Sequence, residues 1–507
     1  MLHKFKDLLP DNDEARLILD AYRSERLRNT RTDADHAYPP PNFPFGSWDS
    51  NRPVPSKADI LAKLPPRDVC NGLVARYLDT TERTHRLFHV PSLRRELAAF
   101  WLEPTMASYG WLAQLFIILA LGRATEAKEA TGPTTEATEP AAGLLELAEA
   151  CLRKTPVLFR ADPTLCRVLC LVIIAKMASS YMCTVIDSCG TLADMAVRGC
   201  MELGLHRFGA GAAKAEEGLD DRILRARLWT AAVFLKVQQA ADSGTPLLLR
   251  PCDFDAAAIR QVLSDDDDDN GDQSYQILIQ ALPIAIDLVS AANNNTADAL
   301  TTAVRQMASH EAAIRAFLHQ VQIQSTDDDD DNDDDRDTDN DIGCKSTHCW
   351  RQLQKPMLEI WLRRLLLVVY QAAISLSPEH HTPSLGLGYA RQQYLACALA
   401  ILVHQRQLLE ITDSPMARML TSLFKQDFFI AAVGACAVLR DGETEGGMDD
   451  GKADERDDYP LGLAAASTKA TIRGALHSCI DLWARDAQKS KCNYWAYLIL
   501  QRLTNGL

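Results

Sequence analysis

Apolar residues recur at helical spacing along most of the chain. Residues 222–235 place four of them at i, i+4, i+7 and i+11 on one helical face: Leu224, Leu228, Ala231 and Leu235. Residues 357–376 repeat the pattern with Leu358, Trp361, Leu362, Leu365, Val369 and Ala372. We predict Asp220 or Asp221 as the N-cap of the first helix. Alternating β-type runs are nearly absent, so the pattern predicts an all-α fold of packed antiparallel helices.

Proline and acidic runs divide this helical pattern. Residues 1–38 are predicted to form a short N-terminal helical region, and residues 39–56, which hold six prolines, an extended linker. Residues 57–507 are predicted to form one large helical domain. We expect disordered acidic insertions in that domain at 264–274, 325–348 and 441–460.

The acidic runs also account for the net charge of −15. Residues 264–273 and 327–341 together carry −16, and 441–458 carry −7, so the remaining chain carries about +8. The overall charge argues against free-standing, non-specific binding to nucleic acid, but it leaves room for a local basic surface. The candidate for such a contact is a run of four arginines: Arg23, Arg26, Arg28 and Arg31. Intervening and following acidic residues also permit a plain solvated helix face.

Cysteine usage and the apolar runs bear on the compartment. The 14 cysteines are scattered singly through apolar stretches, and the N-terminus has no apolar signal region. The longest apolar run, from Leu358 to Leu376, is interrupted by Glu359, Arg363 and Arg364. We therefore expect buried free thiols in an intracellular protein that does not contact a membrane.

Three local motifs are candidates for chemistry, and each is incomplete. His380 and His381 begin an HHxxxDG-like run, but Leu385 replaces its aspartate. Asp266–Gly271 resembles the first half of a calcium loop, in which Ile277 replaces the required glutamate. The third motif consists of Cys344, His348 and Cys349, which lack the second ligand pair of a zinc site. We predict no catalytic residue, no metal and no cofactor, and hence no enzyme.

Four segments together resemble the fungal-specific transcription factor domain, the middle homology region of fungal binuclear zinc-cluster regulators. They are 64–101 with its Leu-Pro and Leu-Phe-His-Val-Pro runs, 196–207 ending in Leu-Gly-Leu-His-Arg, 225–246 with Arg-Ala-Arg-Leu-Trp and Asp-Ser-Gly-Thr-Pro, and 361–370. The signature residues are Leu203, Gly204, Leu205, His206, Arg207, Arg227, Trp229, Gly244 and Pro246. The sequence departs from the family pattern at Val90, Thr230 and Thr245.

The resemblance implies structural roles for these signature residues. Leu203 and Leu205 would pack a helix end, Gly204 would permit a close approach or a tight turn, and Trp229 would anchor the core. The two signature arginines would pair with helix C-termini or buried carboxylates.

A binuclear zinc cluster needs six cysteines in two CxxC-containing halves. No CxxC occurs in the chain, and its first cysteine is Cys70. The sequence therefore suggests a nuclear regulator of a fungal secondary-metabolite gene cluster, of the mycotoxin type, that works without its own zinc-cluster module. It would reach promoter DNA indirectly, through a DNA-binding partner protein, as a single chain or as a homodimer.

Two other classes of function stay open at this stage. The helical fold could serve as a cytoplasmic scaffold or a ligand-sensing module. Less favoured is an enzyme built on such a fold, for which His380, His381 and Cys349 would be the candidate residues.

Overall fold

Helices account for all the regular secondary structure in the described part of the chain. The computed structural model describes residues 43–45, 54–125, 141–156, 160–179, 189–208, 218–264, 272–293, 308–321, 342–374, 387–411, 414–445, 465–487 and 491–505. The predicted all-α fold is confirmed.

The first half of the fold contains α1 (Lys57–Ala62), α2 (Arg67–Tyr77), α3 (Val90–Leu102), α4 (Tyr109–Ala124), α5 (Ala141–Leu152), α6 (Pro163–Ala178), α7 (Cys189–Glu202) and α8 (Leu219–Ser243). A π-helical turn, Leu78–Glu82, extends α2 into the short helical segment Arg83–His85. The second half contains α9 (Ala256–Leu263), α10 (Gln273–Asn293), α11 (308–321), α12 (Ile342–Ile374), α13 (Leu387–Glu410), α14 (Pro415–Leu423), α15 (Lys425–Glu445), α16 (Ala465–Asp486) and α17 (Lys491–Asn505).

Three helices with buried residues on every face form the centre of the protein. In α4 the run from Leu112 to Gly122 is buried, and in α8 the run from Ala226 to Asp242. In α6 thirteen consecutive residues from Leu165 to Met177 are buried. A helix without a polar face belongs inside a protein, and these three are enclosed by the helices around them. Helix α4 packs on α2, α5 and α6, while α7 packs between α6 and α8.

The remaining long helices add a second group to this centre. Helix α10 packs on α8, α9 and α12, and α12 packs on α13. Helix α13 then contacts α15 and α16, and α16 contacts α17. Helix α12 also contacts α14 and α15, so charged residues from α8, α12 and α15 can meet inside the protein.

One glycine marks the closest approach between central helices. A Cβ atom placed on Gly122 of α4 would lie 2.2 Å from the carbonyl oxygen of Leu73 in α2. Real Cβ atoms do not approach a backbone oxygen so closely, so the packing of α2 on α4 requires glycine at this position.

Several predicted boundaries differ from the observed ones. Helix α8 begins at Leu219 after Gly218, so Asp220 and Asp221 lie in its first turn rather than at the N-cap, where their charge still favours the helix dipole. Helix α12 begins at Ile342, inside the predicted insertion 325–348, and the preceding Asp run suits its N-terminus for the same reason.

Two further predicted segments contribute to the folded structure. Helix α15 extends to Glu445, into the predicted insertion 441–460. In the predicted linker 39–56, Phe43 is buried against the core. The predicted region 1–38 lies outside the described residues.

One described helix, α10, is long and apolar enough to cross a membrane by length and composition. Most of its apolar window is buried by other parts of the protein. A core helix of this kind meets the same criterion as a membrane span. A second candidate arises only if α14 and the first part of α15, which meet at a bend of 53°, are taken together.

Candidate functional site

The signature residues at the end of α7 form a helix C-cap. Gly204 has a left-handed φ of +72°, and its N–H donates to the Met201 carbonyl at 3.0 Å. The Leu205 N–H donates to the Cys200 carbonyl at 2.9 Å, and the Leu205 side chain is buried. This pair of hydrogen bonds is a Schellman motif, in which glycine adopts the left-handed conformation at low cost. Leu203 is partly buried against the core.

The same turn is held against the start of α8. The rings of His206 and Trp229 lie 5.8 Å apart, and Trp229 is fully buried. The Arg225 guanidinium donates to the carbonyl of Arg207 at 3.3 Å, while the Arg207 side chain is exposed. These contacts join the end of α7 to α8.

Arg227 points to a different part of the protein, the turn between α2 and α3. Its guanidinium donates to the carbonyl of Phe88. The buried carboxylate of Glu82 accepts the Phe88 N–H at 2.7 Å and the Tyr77 hydroxyl at 2.9 Å. Burial raises the pKa of Glu82 to about 7, against the opposing effects of the Phe88 hydrogen bond and the Arg227 charge. Arg227 and Glu82 therefore fix the same turn from two sides.

The turn also contains a strained residue. Arg86 has a left-handed backbone with φ of +46°, which costs about 1–2 kcal/mol in a residue other than glycine. Its guanidinium pairs with Asp272, the residue before α10, and lies 4.9 Å from the centre of the Tyr275 ring. Gln354 of α12 donates to the same Asp272 carboxylate at 2.7 Å. These contacts hold the strained turn in place.

A second buried network lies at the other end of α8. Arg364 of α12 bonds Asp242 at 3.1 Å and lies 3.1 Å from Asp427 of α15, and all three side chains are at most 5% exposed. Burial raises the pKa of both carboxyl groups, and that of Asp427 reaches about 8 because Asp242 is close. One cation thus holds three helices together.

The last signature residues end α8 beside this network. Gly244 has φ of +71°, and its N–H donates to the Ala240 carbonyl at 2.9 Å. Pro246 is exposed in the extended segment that follows. Trp229 and Gly244 are fifteen residues apart on α8, or about 22 Å at 1.5 Å per residue. The signature residues therefore do not converge on one site.

A small cavity lies among the described helices. Its lining contains no charged side chain and consists of Thr84, His85, Met177, Phe234, Gln238, Leu278, Met357, Leu358, Trp361, Leu423 and Phe424. The cavity volume is about 20 Å³, which is room for about one water molecule.

Two polar atoms in this lining lack a hydrogen-bond partner among the described residues, His85 Nδ1 and Gln238 Oε1. Burial lowers the pKa of His85 to about 4, so its imidazole is neutral near pH 7.

The remaining candidate residues from the sequence form no site in the part of the chain that the structure describes. The four N-terminal arginines, the His380–His381 pair and the Asp266–Gly271 loop lie outside the described residues. The backbone of Cys344, His348 and Cys349 is part of α12, and their side chains are not described. Where the structure describes side chains, no group of three His, Cys, Asp or Glu residues is placed to bind a metal ion.

Sequence analysis missed four residues that the structure brings into these networks and the cavity: Glu82, His85, Arg364 and Asp427. Arg364 and Asp427 are charged residues in largely apolar helical segments, whereas Glu82 and His85 lie in the polar run 79–86 and do not stand out from their neighbours. The sequence drew attention to Arg364 because it breaks an apolar run and lies in the family-like segment 361–370, neither of which indicates a buried ion pair. A buried charge needs a partner, and the sequence does not indicate which helix supplies it.

Comparison with known proteins gives relatives of one kind. The chain is 29% identical over 302 residues to the transcription factor opdR of Penicillium oxalicum, which covers 52% of this chain and 33% of opdR. It is 23% identical over 470 residues to the Zn(2)-C6 fungal-type transcription factor pigI of Monascus ruber, covering 89% and 53%. A 65-residue stretch, 13% of this chain, is 37% identical to 9% of the fusarisetin A cluster transcription factor fsa6 of a Fusarium species.

These matches cover only part of each relative. The chain spans about a third of opdR and about half of pigI. No family model matches the chain. No solved structure matches it either. The relatives of this chain are fungal transcription factors, some of the Zn(2)-C6 type, and this similarity supports a place in a fungal transcription factor family.

Proposed function

We propose that this protein is a transcriptional regulator of a fungal secondary-metabolite gene cluster. The similarity to opdR over 302 residues carries the proposal, and the fusarisetin A cluster factor supports the cluster assignment. The helical domain would be its regulatory part. The buried ion networks join helices to one another, which suits a regulatory domain. Catalysis instead requires polar groups that converge on a substrate.

We further propose that the regulator works in the nucleus through a DNA-binding partner protein. The 507 residues contain no CxxC and therefore no cysteine set for a binuclear zinc cluster. The net charge of −15 also disfavours unaided binding to DNA. A purified chain is expected to leave promoter fragments unshifted in a mobility assay and to shift them once the partner is added. A specific shift by the chain alone would contradict this part.

Transcript profiling of a deletion strain tests the proposal. Deleting the gene should change the expression of one contiguous block of genes together. Reintroducing the wild-type gene should restore the block, whereas a copy with an early stop codon should not. If transcripts hold steady while one metabolite changes, the protein does not regulate transcription.

A further inference from the structure

The cavity between α6, α8, α10, α12, the short segment Arg83–His85 and the end of α14 has features of a binding site. We propose that it binds a small uncharged molecule carrying an aromatic ring and one hydroxyl group. Nothing in this inference depends on the proposed regulatory function, because binding can be measured on the purified chain.

Two buried polar atoms set the hydrogen-bonding requirement of this ligand. Gln238 and His85 are 6% and 5% exposed, and both line the cavity. Gln238 Oε1 is an acceptor without a donor, and His85 Nδ1 also lacks a partner among the residues that the structure describes. A buried polar atom without a partner is costly, so a ligand hydroxyl that reaches Gln238 would recover that cost.

The rest of the lining sets the shape and charge of the ligand. Three aromatic side chains line the cavity, and Phe234 and Trp361 lie with ring centres 5.5 Å apart. No lining side chain carries a charge at neutral pH, so the desolvation of an ionic ligand would not be compensated. These surroundings favour a neutral ring.

Two flexible side chains can enlarge the cavity. The present volume of about 20 Å³ is too small for a ring, and Met177 and Met357 form part of the wall. Methionine has three rotatable side-chain bonds and fills irregular space, so rotation of these two side chains can open room. The Met177 sulfur accepts a long hydrogen bond, at 3.6 Å, from Gln239 Nε2.

The cavity is also placed to affect both ion networks. Gln238 lies one helical turn before Asp242, and His85 lies one turn after Glu82. Trp361 lies one helical turn before Arg364, which pairs with Asp242 in the second network. Residues three or four apart share a helix face, so a ligand that displaces the lining also displaces the charged residues that join the helices. Binding would thereby change how α8 and α12 are held together.

The experiment uses phenol and benzene as matched probes on the purified full chain. Ligand binding to the native state raises the melting temperature in a saturable way. We expect phenol to bind about tenfold more tightly than benzene, because only phenol donates a hydrogen bond. If phenol does not raise the melting temperature in a saturable way, the proposal is overturned and the cavity holds only water.

Three variants locate the binding. Gln238→Met removes the acceptor with little change in shape, and it should abolish the preference for phenol. Gln405→Met is the control, because Gln405 is a buried glutamine of α13 outside the cavity, and it should keep the preference. Met357 is half-buried, and Met357→Phe should fill the cavity and lower the affinity for both probes about fivefold or more. An unchanged preference in the Gln238 variant, or unchanged affinities in the Met357 variant, would refute the site.

Discussion

Replacement of Arg364 by methionine should be among the most damaging single changes in this protein. Arg364 is 3% exposed and is the cation that the structure places between Asp242 and Asp427, which are themselves 5% and 3% exposed. Arg364→Met keeps most of the side-chain volume but removes the guanidinium that the buried side chains of Asp242 and Asp427 face. Removing one partner of a buried ion pair costs about 3–5 kcal/mol of the free energy of unfolding.

The loss should grow with pH. In the wild type, burial and Asp242 raise the folded-state pKa of Asp427 to about 8, against 3.8 for the ordinary side chain. Between those values the folded state binds more protons than the unfolded state, so this group lowers stability as pH rises, by at most about 1.4 kcal/mol per pH unit. Without Arg364 both carboxyl groups should hold protons in the folded state, so the decline should become steeper.

Urea unfolding followed by circular dichroism at pH 5.5 and pH 8 measures both effects. Arg363→Met is the matched control on the same helix. Arg363 is 19% exposed and pairs with Glu359 at 3.3 Å, and Glu359 keeps His404 as a second partner at 3.1 Å. The control should cost about 0.5 kcal/mol.

The triple variant, with Arg364→Met, Asp242→Asn and Asp427→Asn, should recover most of the loss because it leaves no buried charge in the network. An Arg364→Met variant no less stable than Arg363→Met at pH 8 would refute the reasoning.

Other predictions concern single glycines and one buried carboxylate. Gly122→Ala should lower the melting temperature by several degrees, because its Cβ would meet the Leu73 carbonyl. Gly72→Ala has open space around its Cβ and should stabilise the protein by up to about 1 kcal/mol. Equal melting temperatures for the two variants would contradict the packing of α2 on α4. Gly204→Ala should cost about 1–2 kcal/mol from its left-handed backbone alone, as measured by urea unfolding, and a neutral effect would contradict the C-cap. Glu82→Gln should flatten the fall in stability between about pH 4.5 and pH 7 that follows from the raised pKa of Glu82, and an unchanged pH profile would contradict a buried, proton-binding carboxyl group.

Features that depend on residues close together in the chain could be predicted from the sequence. The helical period predicted α8 and α12, and the Leu-Gly-Leu segment predicted a tight turn, which Gly204 forms at the end of α7. Such features depend on residues a few positions apart. Hydrophobic periodicity and the backbone freedom of glycine are therefore enough to find them.

Features that depend on residues far apart in the chain could not be predicted from the sequence. Arg364 meets Asp242 across 122 residues of sequence, and no local pattern selects that carboxylate over other acidic residues. His85 lines a cavity with residues from five helices, so its environment exists only after folding. The start of α12 differed from the prediction because a helix dipole favours aspartates before the first turn, whereas composition alone indicates disorder.

Chromatin immunoprecipitation of the epitope-tagged protein from its native host tests the central claim most directly. A regulator that reaches DNA through a partner should be enriched, after protein–protein and protein–DNA crosslinking, at promoters within one contiguous gene cluster. Those promoters should belong to the genes whose transcripts change on deletion. Uniform occupancy across the genome, or recovery no higher than from an untagged strain, would contradict the account.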